Sequence, residues 1–143
     1  MDRWHHSAGR SVERECDDID ASPARHCRRH GGFPHGVVAD QTHIFWTANY
    51  GHAIRRVSRS GGEAQTLAEG DGHFRPIQIV QDEVALYWTA PSTNLVQTVA
   101  KAGGAVFTVP SNVIAPAGLA IDDEAIYWSN GDGTVMRIAK PKR

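Results

Sequence analysis

Histidine is the residue type best able to do chemistry in this 143-residue chain, which has eight of them beside two cysteines and four tryptophans. An imidazole titrates near neutrality and serves as general base or metal ligand. His35, His52 and His73 stand apart from the N-terminal group and are the first candidates for such a role. No surrounding motif uses them. No H-E-x-x-H puts two imidazoles on one helical face for zinc, and no G-x-x-x-x-G-K loop cradles phosphate. No G-x-S-x-G elbow presents a nucleophilic serine. Near the N-terminus Cys16, His26, Cys27 and His30 invite a zinc reading. A structural zinc site brings paired ligands at short spacing, such as C-x2-4-C, and here ten residues separate the cysteines. A Cys16–Cys27 disulfide in an exported protein, or two unpaired thiols, are the other readings of the same residues. The expectation is therefore no catalytic constellation, no metal and no cofactor.

Binding residues are easier to nominate. Polar, aromatic and Arg side chains gather in four short segments: Asn49, Tyr50 and His52; Asp71, His73, Phe74 and Arg75; Ser92, Thr93 and Asn94; and Asn130 with Asp132. Aromatic and Arg residues on exposed loops are the types that anchor binding surfaces. Tyr50, His52, His73, Phe74, Arg75, Asn94, Asn130 and Asp132 are the candidate ligand-binding residues. The bland reading is that such loops cap any small β-structure, with Tyr50 and Phe74 packed on neighbouring loops.

What could bring these segments to one side is a repeat. Near-identical pentads surround three tryptophans: IFWTA at Trp46, LYWTA at Trp88 and IYWSN at Trp128. The spacings are 42 and 40 residues, with Pro34, Pro76 or Pro116 twelve residues before each Trp. Asp40, Asp82 and Asp122 stand six residues after each proline, and Gly61-Gly62 and Gly103-Gly104 fifteen after the first two tryptophans. A period of about 40–45 residues built of short strands marks a β-propeller with one four-stranded blade per repeat. The apolar runs GVVA, IQIV and GLAI read as inner strands buried between blades. Each ends at the repeated Asp, which can bond a downstream amide and fix a hairpin. Third strands are predicted at 53–58, 95–100 and 134–139, Gly-Gly hairpins after the first two, and outer strands at 64–67 and 105–109. The three tryptophans are predicted to be inter-blade core. The fold class is all-β: about two and three-quarter blades, at 34–75, 76–115 and 116–143. On such blades the loops joining second to third strands, and the links between blades, share one face.

The repeat Pro-x-Gly-hydrophobic-x-x-Asp…Tyr-Trp-Thr…Gly-Gly resembles the YWTD repeat of low-density-lipoprotein-receptor-type propellers, in its shorter bacterial version, over roughly Phe33 to Lys140. The resemblance implies a six-bladed propeller in an extracellular or periplasmic protein. Two positions depart from the pattern. The final Asp of the motif is replaced by Ala48, Ala90 and Asn130, and the Gly after the proline is Gln78 in the middle copy. IFWTANYGHAIRRV is also similar to the repeats of the streptogramin lyases, whose His base could be matched by His35, His52 or His73. No second His and Glu recur at the matching spacing.

Composition excludes several classes. Fifteen Lys+Arg against sixteen Asp+Glu give a formal charge of -1, without the basic footprint of a nucleic-acid binder. No apolar stretch of about 18 residues is present to span a membrane, and MDRWHHSAGR has no apolar signal-peptide core. Residues 1–32 hold six Arg, six Asp+Glu and four His with no repeat marker, and read as a disordered leader before a partial propeller at 33–143. The functional expectation is a non-enzymatic binding or scaffolding module, a fragment of a larger exported bacterial protein, with a protein or small molecule as ligand. The alternatives are a streptogramin-lyase-like enzyme, or a half-propeller that closes as a homodimer.

Overall fold

The computed structural model describes residues 33–110 and 112–141; the N-terminal leader, with Cys16, His26, Cys27 and His30 of the zinc reading, lies outside them. Among the described residues eleven strands form three antiparallel sheets, each a meander in chain order. The first holds β1 (Pro34–Ala39), β2 (His43–Ala48), β3 (Ala53–Ser58) and β4 (Gln65–Glu69). The second holds β5 (Ile79–Gln81), β6 (Ala85–Ala90), β7 (Leu95–Ala100) and β8 (Phe107–Thr108). The third is β9 (Leu119–Ile121), β10 (Ala125–Ser129) and β11 (Val135–Ala139). These are the blades that the repeat predicts. The outer strand β8 is shorter than the predicted 105–109. It pairs on one side only, through Gln97 and Thr98, and its edge carries the exposed Val106 and Phe107.

The repeated markers do the work their chemistry allows. Asp40 Oδ1 accepts the amides of Thr42 and His43, both at 2.8 Å, and closes the β1–β2 turn. Asp82 does the same for Val84 and Ala85, and Asp122 for Glu124 and Ala125. Gly61 and Gly62 take φ of 95° and 109°, a region that side chains with a Cβ avoid. At Gly36 the reason is space rather than dihedral: a Cβ there would lie 2.6 Å from the Ile77 carbonyl oxygen of the next blade.

The core lies between blades, in two clusters. Phe45, Ile54 and Ala68 of the first blade meet Ile79, Leu86 and Trp88 of the second, with Phe74 from the link between them. On the other side of the second blade Tyr87 and Val96 meet Leu119, Ile126 and Trp128. Alternation along the strands divides the two faces: Trp88 and Trp128 turn to the preceding blade, and Phe45 and Tyr87 turn to the following one. The central strand β6 is buried along its whole length. Complete burial of an apolar side chain contributes roughly 1.5–3 kcal/mol, so these interfaces hold the sheets together.

This arrangement corrects one expectation. Trp88 and Trp128 are inter-blade core, but Trp46 is only half-buried. No described blade precedes the first, so the face that holds Trp46 is open, and Val37 beside it is 66% exposed. The inner strands fare likewise. The strand β5 has neighbours on both sides, whereas Val37 of β1 and Ala120 of β9 face outward.

Candidate functional site

At one end of the sheets lie the hairpins closed by Asp40, Asp82 and Asp122, and at the other the segments nominated from sequence. Hydrogen bonds tie the latter into one loop face. The Gly70 amide donates to the His52 carbonyl at 3.0 Å, and Gly131 to Ile114 at 2.8 Å. Ser92 Oγ donates to the His73 carbonyl at 2.7 Å, and Asn49 Nδ2 to that of Pro76 at 3.3 Å.

Within that face several nominated residues serve the fold. Phe74 is buried and meets the Trp88 ring edge-on at 6.4 Å between centroids. Its carbonyl lies 2.8 Å from Nδ1 of His52, which fixes that ring against the link, and His52 itself takes a φ of 51°. Asn94, also left-handed with φ 53°, accepts the Ala115 amide at 2.7 Å and so joins the second blade's loop to the third blade's link. Asn130 is buried: its Oδ1 accepts the Trp128 indole N–H at 3.0 Å and the Ile114 amide at 3.1 Å. Its Nδ2 donates to Asn112 and Thr134. Asp132 closes its own turn on Thr134, whose hydroxyl and amide hold the carboxyl below the ordinary range. Thr93 and Asp71 likewise bond locally, and Ser92 bonds the His73 carbonyl of the link.

Tyr50, Arg75 and His73 are the exposed remainder. The Arg75 guanidinium lies over the Tyr50 ring, 4.9 Å from its centroid. Phe33 joins this group, edge-on to Tyr50 at 5.4 Å. Phe33 and Tyr50 are 74% and 54% exposed, so the three side chains make an aromatic and cationic ledge open to solvent. Phe33 was absent from the sequence-derived set because it adjoins the leader. The signal that would find it is position: like Arg75, it directly precedes a repeat proline. His35, His73 and His52 stay on separate strands or loops. Among the described residues no three His, Cys, Asp or Glu side chains gather where they would hold a metal ion.

The three meander sheets packed face to face define the class of the protein, a β-propeller, and solved structures bear this out. The chain is similar to a chain of the nidogen/laminin complex, with a TM-score of 0.66 and 19% identity over 76% of this chain and 45% of that one. It is similar to virginiamycin B lyase from Staphylococcus aureus, with a TM-score of 0.54 and 15% identity over 79% of this chain and 43% of the enzyme. The computationally designed Ika8 protein gives 0.62 and 16% identity, over 74% and 33%. The chain thus spans less than half the length of each. No protein-family model and no curated protein sequence matches it. Among the described residues no helix is long and apolar enough to cross a membrane.

Proposed function

We propose that this chain is a non-enzymatic binding or scaffolding part of a propeller of the YWTD type, and that it meets its ligand on the loop face. The observation that carries this is the ledge of Phe33, Tyr50 and Arg75. Exposed aromatic rings with a guanidinium stacked on them supply apolar area at little entropic cost, and a charge to orient a partner. The ligand this chemistry fits is an extended peptide or protein segment with an acidic group next to an apolar side chain. Likeness to the propeller in the nidogen/laminin complex, a protein seen with a protein partner, supports the same reading, and with it an exported location.

The experiment is selection of random displayed peptides on the immobilised chain, followed by binding of the selected peptides to Y50A and R75A. Peptides rich in Asp or Glu beside an apolar residue are expected, with affinity falling about tenfold or more in either variant, as for a residue central to an interface. Failure to enrich such peptides would overturn the reading. So would consumption of quinupristin by the chain, since that compound occupies a structure of a catalytically inactive virginiamycin B lyase and would mark a lyase-like enzyme.

A further inference from the structure

The two blade boundaries repeat the same polar contacts. Lys101, directly after β7, reaches back to Asp40 of the first blade at 3.0 Å, and Lys140, directly after β11, reaches back to Asp82 of the second at 2.9 Å. Each ammonium also lies over an aromatic ring of the earlier blade, Phe45 at 5.6 Å and Tyr87 at 5.5 Å. A hydroxyl forms the second contact. Thr47 Oγ1 accepts the Gly36 amide of its own blade at 2.8 Å and donates to the Ile77 carbonyl of the next at 2.9 Å. Thr89 repeats this with Gln78 and, at 3.3 Å, Ala117. At the first boundary Arg56 adds a bond to the Lys101 carbonyl at 2.6 Å.

The open faces of the outer blades carry the matching halves of these contacts. On the third blade Tyr127 donates to Asp122 Oδ2 at 2.7 Å, as Tyr87 does to Asp82 at 2.8 Å. Ser129 Oγ accepts the Gly118 amide at 2.9 Å, like the two threonines, and Arg137 sits opposite Tyr127 as Arg56 sits opposite Phe45. Among the described residues no cation of a following blade reaches Asp122. On the first blade Arg59 holds the position of the two lysines: its amide bonds Thr42 at 2.8 Å, as that of Lys101 bonds Val84 at 2.9 Å. Among the described residues the Arg59 guanidinium bonds only the Asp40 carbonyl of its own blade, at 3.2 Å. Arg55 on this face has its Nε buried without a partner. Around these groups lie the half-buried Trp46 and exposed Val37 on one face, and half-buried Tyr127 and exposed Val135 on the other.

We infer that these two faces take each other: a second copy of this chain closes the ring head to tail. Arg59 of each copy then lies against Asp122 and Tyr127 of the other, Arg137 against the Arg59 carbonyl, and the Ser129 hydroxyl against the carbonyl of His35. Because the two faces differ but complement each other, a twofold axis makes two identical contacts and covers both open faces. The Arg59–Asp122 contact lies at the hairpin end of the sheets, whereas Tyr50 and Arg75 stand on the loop face, so Y50A and R75A are expected to leave the dimer intact and the two readings fail separately.

The test is the mass of the full chain by light scattering and sedimentation over a range of concentrations. A closed dimer of twice 15.6 kDa is expected. R59E and D122R each put like charges at both contacts and are expected to weaken dimerisation about 100-fold, as like-charge juxtaposition at an interface does. An equimolar mixture of the two restores opposite charges at both contacts and is expected to restore the dimer, which a merely misfolded variant would not do. Should a charge reversal prevent folding, R59Q and D122N give the same order of effect on a smaller scale. A wild-type monomer at every concentration overturns the proposal and leaves further blades of a longer chain as the cover for both faces. So does any larger assembly, or a mixture that stays monomeric.

Discussion

Asp82 offers the sharpest test of how the blades are joined. Its Oδ1 accepts two amides of its own hairpin, from Val84 at 3.0 Å and Ala85 at 2.8 Å. Its Oδ2 accepts from the Tyr87 hydroxyl at 2.8 Å and from Lys140 of the next blade at 2.9 Å. Burial pushes the carboxyl up, but Lys140, Tyr87 and the two amides together outweigh it and hold the pKa at about 2, against 3.8 ordinarily. That difference corresponds to about 2 kcal/mol of folding stability at neutral pH. D82N keeps an acceptor for the hairpin amides and removes the charge that faces Lys140, so it is expected to cost part of this, about 1–2 kcal/mol.

The sign follows from the direction of the shift. The folded carboxyl is the stronger acid, so its contribution is complete above about pH 5 and is lost as pH falls through about 2, where the wild-type group is itself protonated. The cost of D82N is therefore expected to shrink over that window. The assay is equilibrium urea unfolding of wild type, D82N, K140M and the double variant at several pH values, followed by fluorescence of the tryptophans. K140M keeps most of the apolar stem over Tyr87 and removes the charge. The double-mutant cycle is expected to show a coupling of about 1–2 kcal/mol at neutral pH, for a partly buried pair whose carboxylate is also bonded. A D82N cost that does not change with pH, or is the same with and without Lys140, would refute the ion pair as the link between the blades.

Two further substitutions probe the other repeat positions. N130A removes the acceptor of the Trp128 indole N–H and of the Ile114 amide, and is expected to destabilise by about 2–3 kcal/mol in urea unfolding, as stranded buried donors do; a change below about 0.5 kcal/mol would show that Trp128 needs no partner. G36A places a Cβ against the Ile77 carbonyl and is expected to cost about 1–3 kcal/mol by overpacking. The same substitution at Gly118, where the nearest atom is a Ser129 hydroxyl at 3.1 Å on the open face, is expected to cost less, and equal losses would contradict the close approach of the first two blades.

The blades were legible in sequence because every copy needs the same few devices: a proline to begin, an Asp to close the first turn, a Trp to fill the interface and glycines to turn outward. Burial was less legible, because it belongs to a pair of blades. The pentads around Trp46 and Trp88 are nearly identical, yet Trp88 is sealed by the first blade and Trp46 has no described neighbour on its side. The loop residues show the same limit. Phe74 and Tyr50 are both loop aromatics, and only the packing of the link against Trp88 makes one core and leaves the other exposed.

The Lys–Asp links escaped notice for a different reason. Their partners stand 61 and 58 residues apart, across a whole repeat, and each lysine alone is an ordinary charge after a strand. Strand register points to them: Arg59 and Lys101 stand thirteen residues after their Trp and Lys140 twelve, because the β10–β11 hairpin is one residue shorter, and each directly follows a third strand as a cation. The departures at Ala48, Ala90 and Asn130 carry similar information. Asn130 serves the indole N–H of its blade, while Ala90 leaves the Trp88 Nε1 buried without a partner. A buried donor of that kind costs stability that an apolar neighbour cannot return, so the second blade relies more heavily on being covered on both sides. That dependence fits the burial of β6 along its whole length, and it makes the second blade the one whose tryptophan should respond first when either neighbouring interface is weakened.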